Sequence, residues 1–552
     1  MSWESAPNNR NSSRHKLQIL LQTLGLDSKK HRRIQFTFAC LLVSPISNAE
    51  VTASGGTNQF RDSMGKQSLS IGQQFNPAIL NDGLNTFNVI TIGQNGPGDL
   101  VVSGVGAELR AENAMNIGFN NIGNLTIDSG GIVRSLGGPS PFCQGCNYTI
   151  MGNAAGAVGT IIIRDPGSQF LVGHDTPGAG FIVGNIAGSI ANVYVQNGAM
   201  MTTTRTEVGG ESNSQGTVNV SGIGSTWSVT TDGFRGPELV LGRNGSGTLN
   251  ITSGGQVNAG SVRIGSSSSS GRGTGIAMIS GVGSNLTMGV NGPVFVGSGG
   301  SGTLSVLDGA KVLANQPGGS QGFLSITSSL PSAPSTVNVD GLGSVISAPR
   351  VFVSTGGNLT ISNFGKVETS FGIVVGNGGV LLGNSVVSGG VTVGPGGVVQ
   401  PGLSPGDLTV IGDFNMKSSG TLRLEIGQLA FDRVLATGHF NLASGKIEFA
   451  MMPGAHPNRL NKLSVGDFLR SIVSEGEQSS AGVIGVNLFG LSQLTVTLIS
   501  PEVAIQSFNF DSTTGIFTVV APSAVPVPPA IWMLIPGLIG IWARRRRVLR
   551  PG

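Results

Sequence analysis

Short stretches of alternating apolar and polar residues recur along the middle of the chain. They are Leu125-Thr-Ile127, Val193-Tyr-Val195, Leu249-Asn-Ile251, Leu304-Ser-Val306 and Leu359-Thr-Ile361. A period of two predicts a β-strand with one face buried and one wet. A turn follows each time: Ser129-Gly130-Gly131, Asn197-Gly198-Ala199, Ser253-Gly254-Gly255, Asp308-Gly309-Ala310 and the degenerate Asn363-Phe364-Gly365. Asn, Asp and Gly tolerate left-handed backbone at low cost, so these are corners.

A second signature alternates with the first. Val102-Ser-Gly-Val-Gly-Ala107 returns as Ile163-Arg-Asp-Pro-Gly-Ser168, Val220-Ser-Gly-Ile-Gly-Ser225, Ile279-Ser-Gly-Val-Gly-Ser284 and Val339-Asp-Gly-Leu-Gly-Ser344, at intervals of 61, 57, 59 and 60 residues. A large apolar residue stands two positions after each: Leu109, Phe170, Trp227, Leu286 and Ile346. Between the signatures lie the apolar–glycine pairs Ile117-Gly118, Val183-Gly184, Leu241-Gly242 and Val296-Gly297, replaced in the fifth unit by Val353-Ser354. A pattern that keeps its size five times is a structural unit.

A unit of short strands and glycine corners, with no helical period, buries its apolar face by stacking on copies of itself. The expected fold is all-β: a right-handed parallel β-helix (β-solenoid) of five repeats of about 59 residues over 102–380. An N-terminal β cap over 50–101 precedes them. A further β repeat (381–427) and a C-terminal β cap (428–522) follow, the latter covering strand edges that would otherwise aggregate. With about three coils per unit and ~4.8 Å between stacked strands, five units predict a column on the order of 70 Å. A β-propeller is the competing repeat fold, though its blades carry more aromatics and stricter hairpins.

The two ends differ from this body. Lys29, Lys30, Arg32 and Arg33 precede an apolar run, Ile34 to Val43, and Ser47 and Ala49 are the small residues of a cleavage site. Residues 1–49 therefore read as a signal peptide with an extended polar leader, cleaved after Ala49. Cys40 is not read as a lipidation site, because Thr37 occupies the usual aliphatic position. At the other end Val525-Pro-Val-Pro-Pro-Ala530 runs into an apolar stretch to Ala543 and then Arg544, Arg545, Arg546 and Arg547. Nineteen helical residues at ~1.5 Å each just cross a bilayer's apolar core, and the arginines belong on its cytoplasmic side.

Pro526, Val527, Pro528, Trp532 and the arginine cluster give residues 523–552 a resemblance to the PEP-CTERM sorting signal of Gram-negative bacteria. Val527 replaces the commoner glutamate and matches the variant with an apolar residue there and a tryptophan shortly after, which leaves the class of processing enzyme open. A simple uncut anchor is the plain alternative. The resemblance implies export through the Sec translocon, a transient inner-membrane stage held by the C-terminal helix, and removal of the tail by an exosortase-type enzyme. The protein would then reside at the cell surface or outside the cell. The repeats resemble those shared by type V autotransporter passengers and PEP-CTERM proteins, best in Val220 to Trp227 and Gly247 to Gly255. Val399 to Val410 resembles the passenger-associated repeat, and Phe431 to Gly438 with Gly466-Asp-Phe468 the closing β region of such proteins. Fewer than 100 residues remain before the tail, too few for the membrane barrel of a true autotransporter.

Charge and chemistry narrow the function. Of 32 Lys and Arg, 12 lie in residues 1–49 and 544–552, and only 2 of 28 acids do, so the body between carries 20 against 26. Without clustered cations a nucleic-acid partner is excluded. No histidine pair has metal-ligand spacing, so no metal or cofactor is expected. His174-Asp175 reads as a solvated turn, and Cys143 with Cys146 as a small local disulfide stiffening a loop. Asp165, Asp232, Asp308, Asp340, Asp407, Asp413 and Asp432 are scattered, mostly at corners. The expectation is a non-enzymatic, adhesin-like component of the cell surface or biofilm matrix, with exopolysaccharide as a possible partner. The alternative is a β-helix polysaccharide lyase or hydrolase, which needs acids converging on one groove.

Overall fold

The computed structural model describes residues 50–53, 68–72, 78–80, 83–137, 148–173, 179–231, 236–268, 271–314, 321–328, 333–403, 405–442, 445–461, 463–471, 488–489, 494–499 and 507–520. All lie in one compact unit, Ser47–Gly552. Both targeting segments fall outside the described residues, and among those described no helix is long and apolar enough to cross a membrane.

Each turn of chain is a coil of three strands. The first strand of every coil joins one parallel ladder, which passes through Gly98–Ser103, Ile122–Asp128, Val158–Arg164, Ile190–Gln196, Gln215–Ser221 and Ser246–Thr252. The second strands form a ladder through Ile132–Ser135, Gln169–Val172, Met200–Thr203 and Thr226–Val229. The third form one through Tyr148–Met151, Gly180–Val183, Thr206–Val208 and Glu238–Leu241. The long strand Glu108–Ile117 pairs with members of both the second and the third ladder. Pairing is parallel throughout the three ladders, which is a parallel β-helix and not a propeller. Among the described residues, antiparallel pairing between strands is confined to Ser267–Ser268 with Gly271–Arg272 and to the hairpin of Ser507–Asp511 with Ile516–Val520.

The repeat contains two coils, not three. Ile127 and Ile163 occupy the same register position on successive coils, as do Val220 and Ile251. The two signatures therefore mark the same place on alternate coils. Five units supply ten first-ladder strands, from Gly98–Ser103 to Gly357–Ser362. At ~4.8 Å per coil they stack over roughly 48 Å, shorter than the sequence predicts. The first ladder runs on through Val380–Gly383, Val398–Pro401, Thr421–Ile426, Lys446–Met451 and Thr495–Ile499, pairing from coil to coil.

The core is what parallel register makes of the period-two pattern. Leu125, Ile161, Val193, Val218 and Leu249 stack in line on the first ladder, all fully buried. On the second ladder Leu109, Val133, Phe170, Met201, Trp227 and Val257 do the same. Each such side chain contributes about 1.5–3 kcal/mol by leaving water.

Glycine recurs where coils touch. Gly242 has φ of 66°, and a Cβ there would lie 2.1 Å from the Thr274 carbonyl oxygen of the next coil. The serine of the longer signature performs a second joining task. Ser225 is fully buried, accepts the Gly198 N–H of the preceding coil at 3.0 Å, and donates to its own Ser221 carbonyl at 2.7 Å. Ser168, Ser284 and Ser344 accept from Gly130, Gly254 and Gly309 in the same way.

Within residues 102–380 connections between first and second strands are three or four residues long. Those between separate second and third strands there vary from a single residue, Gly260, to the twelve of 136–147. Toward the C-terminus the hairpin sets Phe517 against Phe449 at 4.9 Å, and Phe449 packs on Phe468 at 4.9 Å. Asn461 fixes it by exchanging hydrogen bonds with both backbone groups of Val519.

Candidate functional site

With the apolar positions turned inward, whatever this chain recognises must meet its outer surfaces. The first ladder presents a pleated face whose outward positions are mainly hydroxyls and amides. Thr160, Asn192, Thr217 and Thr248 follow one another in register, one per coil. Thr303 and Thr336 continue the row with hydroxyls 3.4 Å apart. In the adjacent row the Asn250 amide donates to Asn219 at 2.8 Å. Ile276 and Met278 interrupt these rows and are more than a third exposed. The face offers donors and acceptors at about 4.8 Å intervals, a spacing set by the backbone alone.

The third ladder carries charge and aromatic rings. Glu207 is almost fully buried and lies 2.9 Å from both Arg205 and Arg243, and Glu238 is 2.6 Å from Arg263. The Glu207 charge holds the Arg243 pKa above its ordinary value despite opposing desolvation. The Arg263 guanidinium also sits 4.6 Å over the Phe295 ring. From there the rings step down the coils, Phe295 to Phe323 at 5.3 Å and Phe323 to Phe352 at 6.0 Å, each pair edge to face. Arg350 lies 5.0 Å over Phe371, which is 55% exposed.

The corner after the first strand bears a row of apolar side chains. Val105 is 91% exposed, Ile223 89%, Val282 84% and Leu342 79%. Pro166 holds the same place in the second unit and is also exposed. On the coils between them the corner has Gly130, Gly198, Gly254 and Gly309. Phe364 takes the glycine place on the fifth such coil, with φ of 67° and 80% exposure.

The scattered aspartates serve structural ends. Asp165 and Asp308 adopt left-handed corner backbone. Asp340 accepts from Ser362 and Asn363, and Asp407 from Arg433 through two nitrogens. Asp128 faces Arg164 at 2.8 Å. Burial pushes its pKa up, but hydrogen bonds from Ser103 and Arg164 outweigh burial and hold it below the ordinary value. Asp432 is fully buried, with its oxygens accepting the Gly406 and Glu425 N–H groups at 2.8 Å each. Burial nevertheless raises its pKa to about 7. Among the described residues, one acid meets a histidine: His439 Nδ1 is 3.5 Å from Asp413, with both side chains more than half exposed.

The sorting residues Val525, Pro526, Val527, Pro528, Trp532 and Arg544 to Arg547 lie outside the described residues. So do Ser47, Ala49, Cys143, Cys146, His174, Asp175 and Asp232. The aromatic steps, the His439–Asp413 pair and the corner row are not among the sequence expectations. All three depend on knowing how many residues make one coil.

No family model matches the chain. A stretch of 108 residues is 37% identical to the uncharacterized lipoprotein YdeK of Escherichia coli (strain K12), covering 19% of this chain and 8% of that protein. The chain thus spans a small part of the relative that it matches. Among solved structures, a TibC-catalyzed hyper-glycosylated TibA fragment superposes with a TM-score of 0.33 at 13% identity, covering 77% of this chain and 97% of the fragment. The β-helix assignment rests on the strand ladders themselves.

Proposed function

We propose that this chain is an exported β-solenoid of the cell surface or extracellular matrix, adhesin-like and structural in role. An exosortase-type enzyme would recognise Val525 to Arg547 and remove the tail after passage through the Sec translocon. The observation that carries the reading is the first-ladder face. Its rows of threonine and asparagine repeat at coil spacing and suit many weak contacts with a hydroxyl-rich polymer such as exopolysaccharide. The signal-like and sorting-like ends of the sequence supply the route. Against the alternative of a polysaccharide lyase or hydrolase stand the positions of Asp165, Asp308, Asp340, Asp407, Asp413 and Asp432. Asp165, Asp308, Asp340 and Asp413 belong to separate corners and pairs along the stack, while Asp407 and Asp432, close enough to interact, are engaged by Arg433 and by backbone N–H groups respectively.

Fractionation of cells making the chain with and without residues 523–552 tests this reading. The intact gene should place the protein outside the inner membrane, with a C-terminus upstream of Ile531 by mass spectrometry. Recovery of the unprocessed chain from the cytosol would refute it. Release of reducing ends or unsaturated sugars from a polysaccharide panel would favour the enzyme instead.

A further inference from the structure

We infer that the apolar corner row is a self-association seam, filled by the same row of a second copy of this chain. Val105, Pro166, Ile223, Val282 and Leu342 each occupy the middle of a tight turn, in four of the five between two glycines. The glycines supply the left-handed backbone: Gly222 and Gly224 flank Ile223 with φ of 93° and 83°, and Gly281 and Gly283 flank Val282 with 90° and 85°. The turn thus asks nothing of the residue between them, and water at an exposed corner favours a polar one. All five positions are nonetheless apolar, and the four largest exposures are 79–91%.

The row has a period of its own. Side chains stand on every second coil, about 10 Å apart, and glycine stands on each coil between. That alternation keeps a notch open between neighbouring side chains. A Cβ at Gly130 would approach Val105 Cγ2 to 3.0 Å, one at Gly254 would approach Ile223 Cγ1 to 3.1 Å, and one at Gly309 would approach Val282 Cγ2 to 2.9 Å. A small ligand engages one notch. Filling the whole series at once requires a partner whose projections repeat at the same two-coil step, and this chain presents such a surface. Two copies related by a two-fold axis across the corner set the side chains of each into the notches of the other, an isologous contact in which one patch serves both sides. The inference stands on the corner alone and holds or fails wherever the chain is delivered.

The test uses the full-length chain and a triple variant, Ile223→Asp, Val282→Asp and Leu342→Asp, whose secondary structure is checked by circular dichroism. Sedimentation equilibrium should show self-association of the parent, weakened about tenfold or more in the variant. Equal association of the two overturns the proposal, as does a parent that stays monomeric. Because the tail is common to both proteins, a second readout locates the contact. With Cys40, Cys143 and Cys146 changed to serine, Val282→Cys should be joined into dimers by a short bis-maleimide, and Thr248→Cys on the first-ladder face should not. The reverse result places the contact on another face and ends the proposal. Binding of the parent to phosphatidylcholine vesicles, lost in the triple variant and unaccompanied by self-association, would assign the row to a lipid surface instead.

Discussion

The hydroxyl of Ser225, itself fully buried, accepts the backbone N–H of Gly198 from the coil before it, at 3.0 Å. One serine thereby satisfies an amide of the neighbouring coil and a carbonyl of its own. Replacing it with alanine leaves the half-buried Gly198 N–H without this partner, which costs about 1–3 kcal/mol where water does not replace the bond. Ser225→Ala and Ser344→Ala should each lower the stability measured by urea unfolding by that amount. A change smaller than the error of the fit would show that water takes over the bond.

Close contact between coils gives a sharper contrast. Gly242→Ala combines a left-handed φ with an impossible approach to Thr274, so a loss of at least ~2 kcal/mol is expected. A Cβ at Gly236 meets nothing within 4 Å, so Gly236→Ala should stay within about 0.5 kcal/mol of the parent. Equal effects at the two positions would mean that the coils are spaced more loosely than their register implies.

Trp227 is the only tryptophan between the two ends, the others being Trp3, Trp532 and Trp542. It is fully buried, with its Nε1–H donating to Thr203 Oγ1 at 2.9 Å. A protein that has lost both ends should therefore emit as one buried indole, blue-shifted and poorly quenched by acrylamide. Trp227→Ala should abolish that emission and cost about 3–5 kcal/mol through the cavity it leaves. Strong quenching would place the indole in water.

Asp432 sets a pH dependence whose sign follows from its surroundings. Desolvation raises its pKa to about 7 in the folded state, against an ordinary carboxyl value of 3.8. Between those values the folded chain holds a proton that the unfolded chain has released, so this group's contribution is complete at the acid end and fades as pH rises through about 7. Asp432→Asn removes the titration. The parent should lose thermal stability relative to that variant between pH 5 and pH 8, and parallel curves would contradict the assignment. Asp128 and Glu448, both held below their ordinary values, work in the opposite sense, and their contribution disappears as the solution is acidified.

Most of the fold is legible in the sequence because the first strand of each coil is long enough to show its period. Val193-Tyr-Val195 or Leu249-Asn-Ile251 needs only alternation to be recognised. Strands such as Thr206–Val208 hold three residues and carry no periodicity, so they pass unseen. That is why the sequence suggests three coils per unit where there are two: the two signatures fall on the same strand of successive coils, and the short strands between them give no tally. Surface features suffer more. Phe295, Phe323 and Phe352 stand far apart in sequence and meet only once coil length is known, and Asp413 faces His439 for the same reason. Val105, Ile223, Val282 and Leu342 sit inside a recognised motif, where the glycines around them claim attention. Their alignment is a property of the stack and not of any single motif.

The unequal lengths of the connections between second and third strands carry an evolutionary consequence. Since neighbouring coils are locked through their ladders and through the serine corner on another edge, chain can be added or removed at this edge without moving the register elsewhere. Selection can therefore lengthen a segment such as 136–147 or pare one down to Gly260 while the scaffold keeps its pitch. New specificities can be tried along one margin of the molecule with the folding problem already solved.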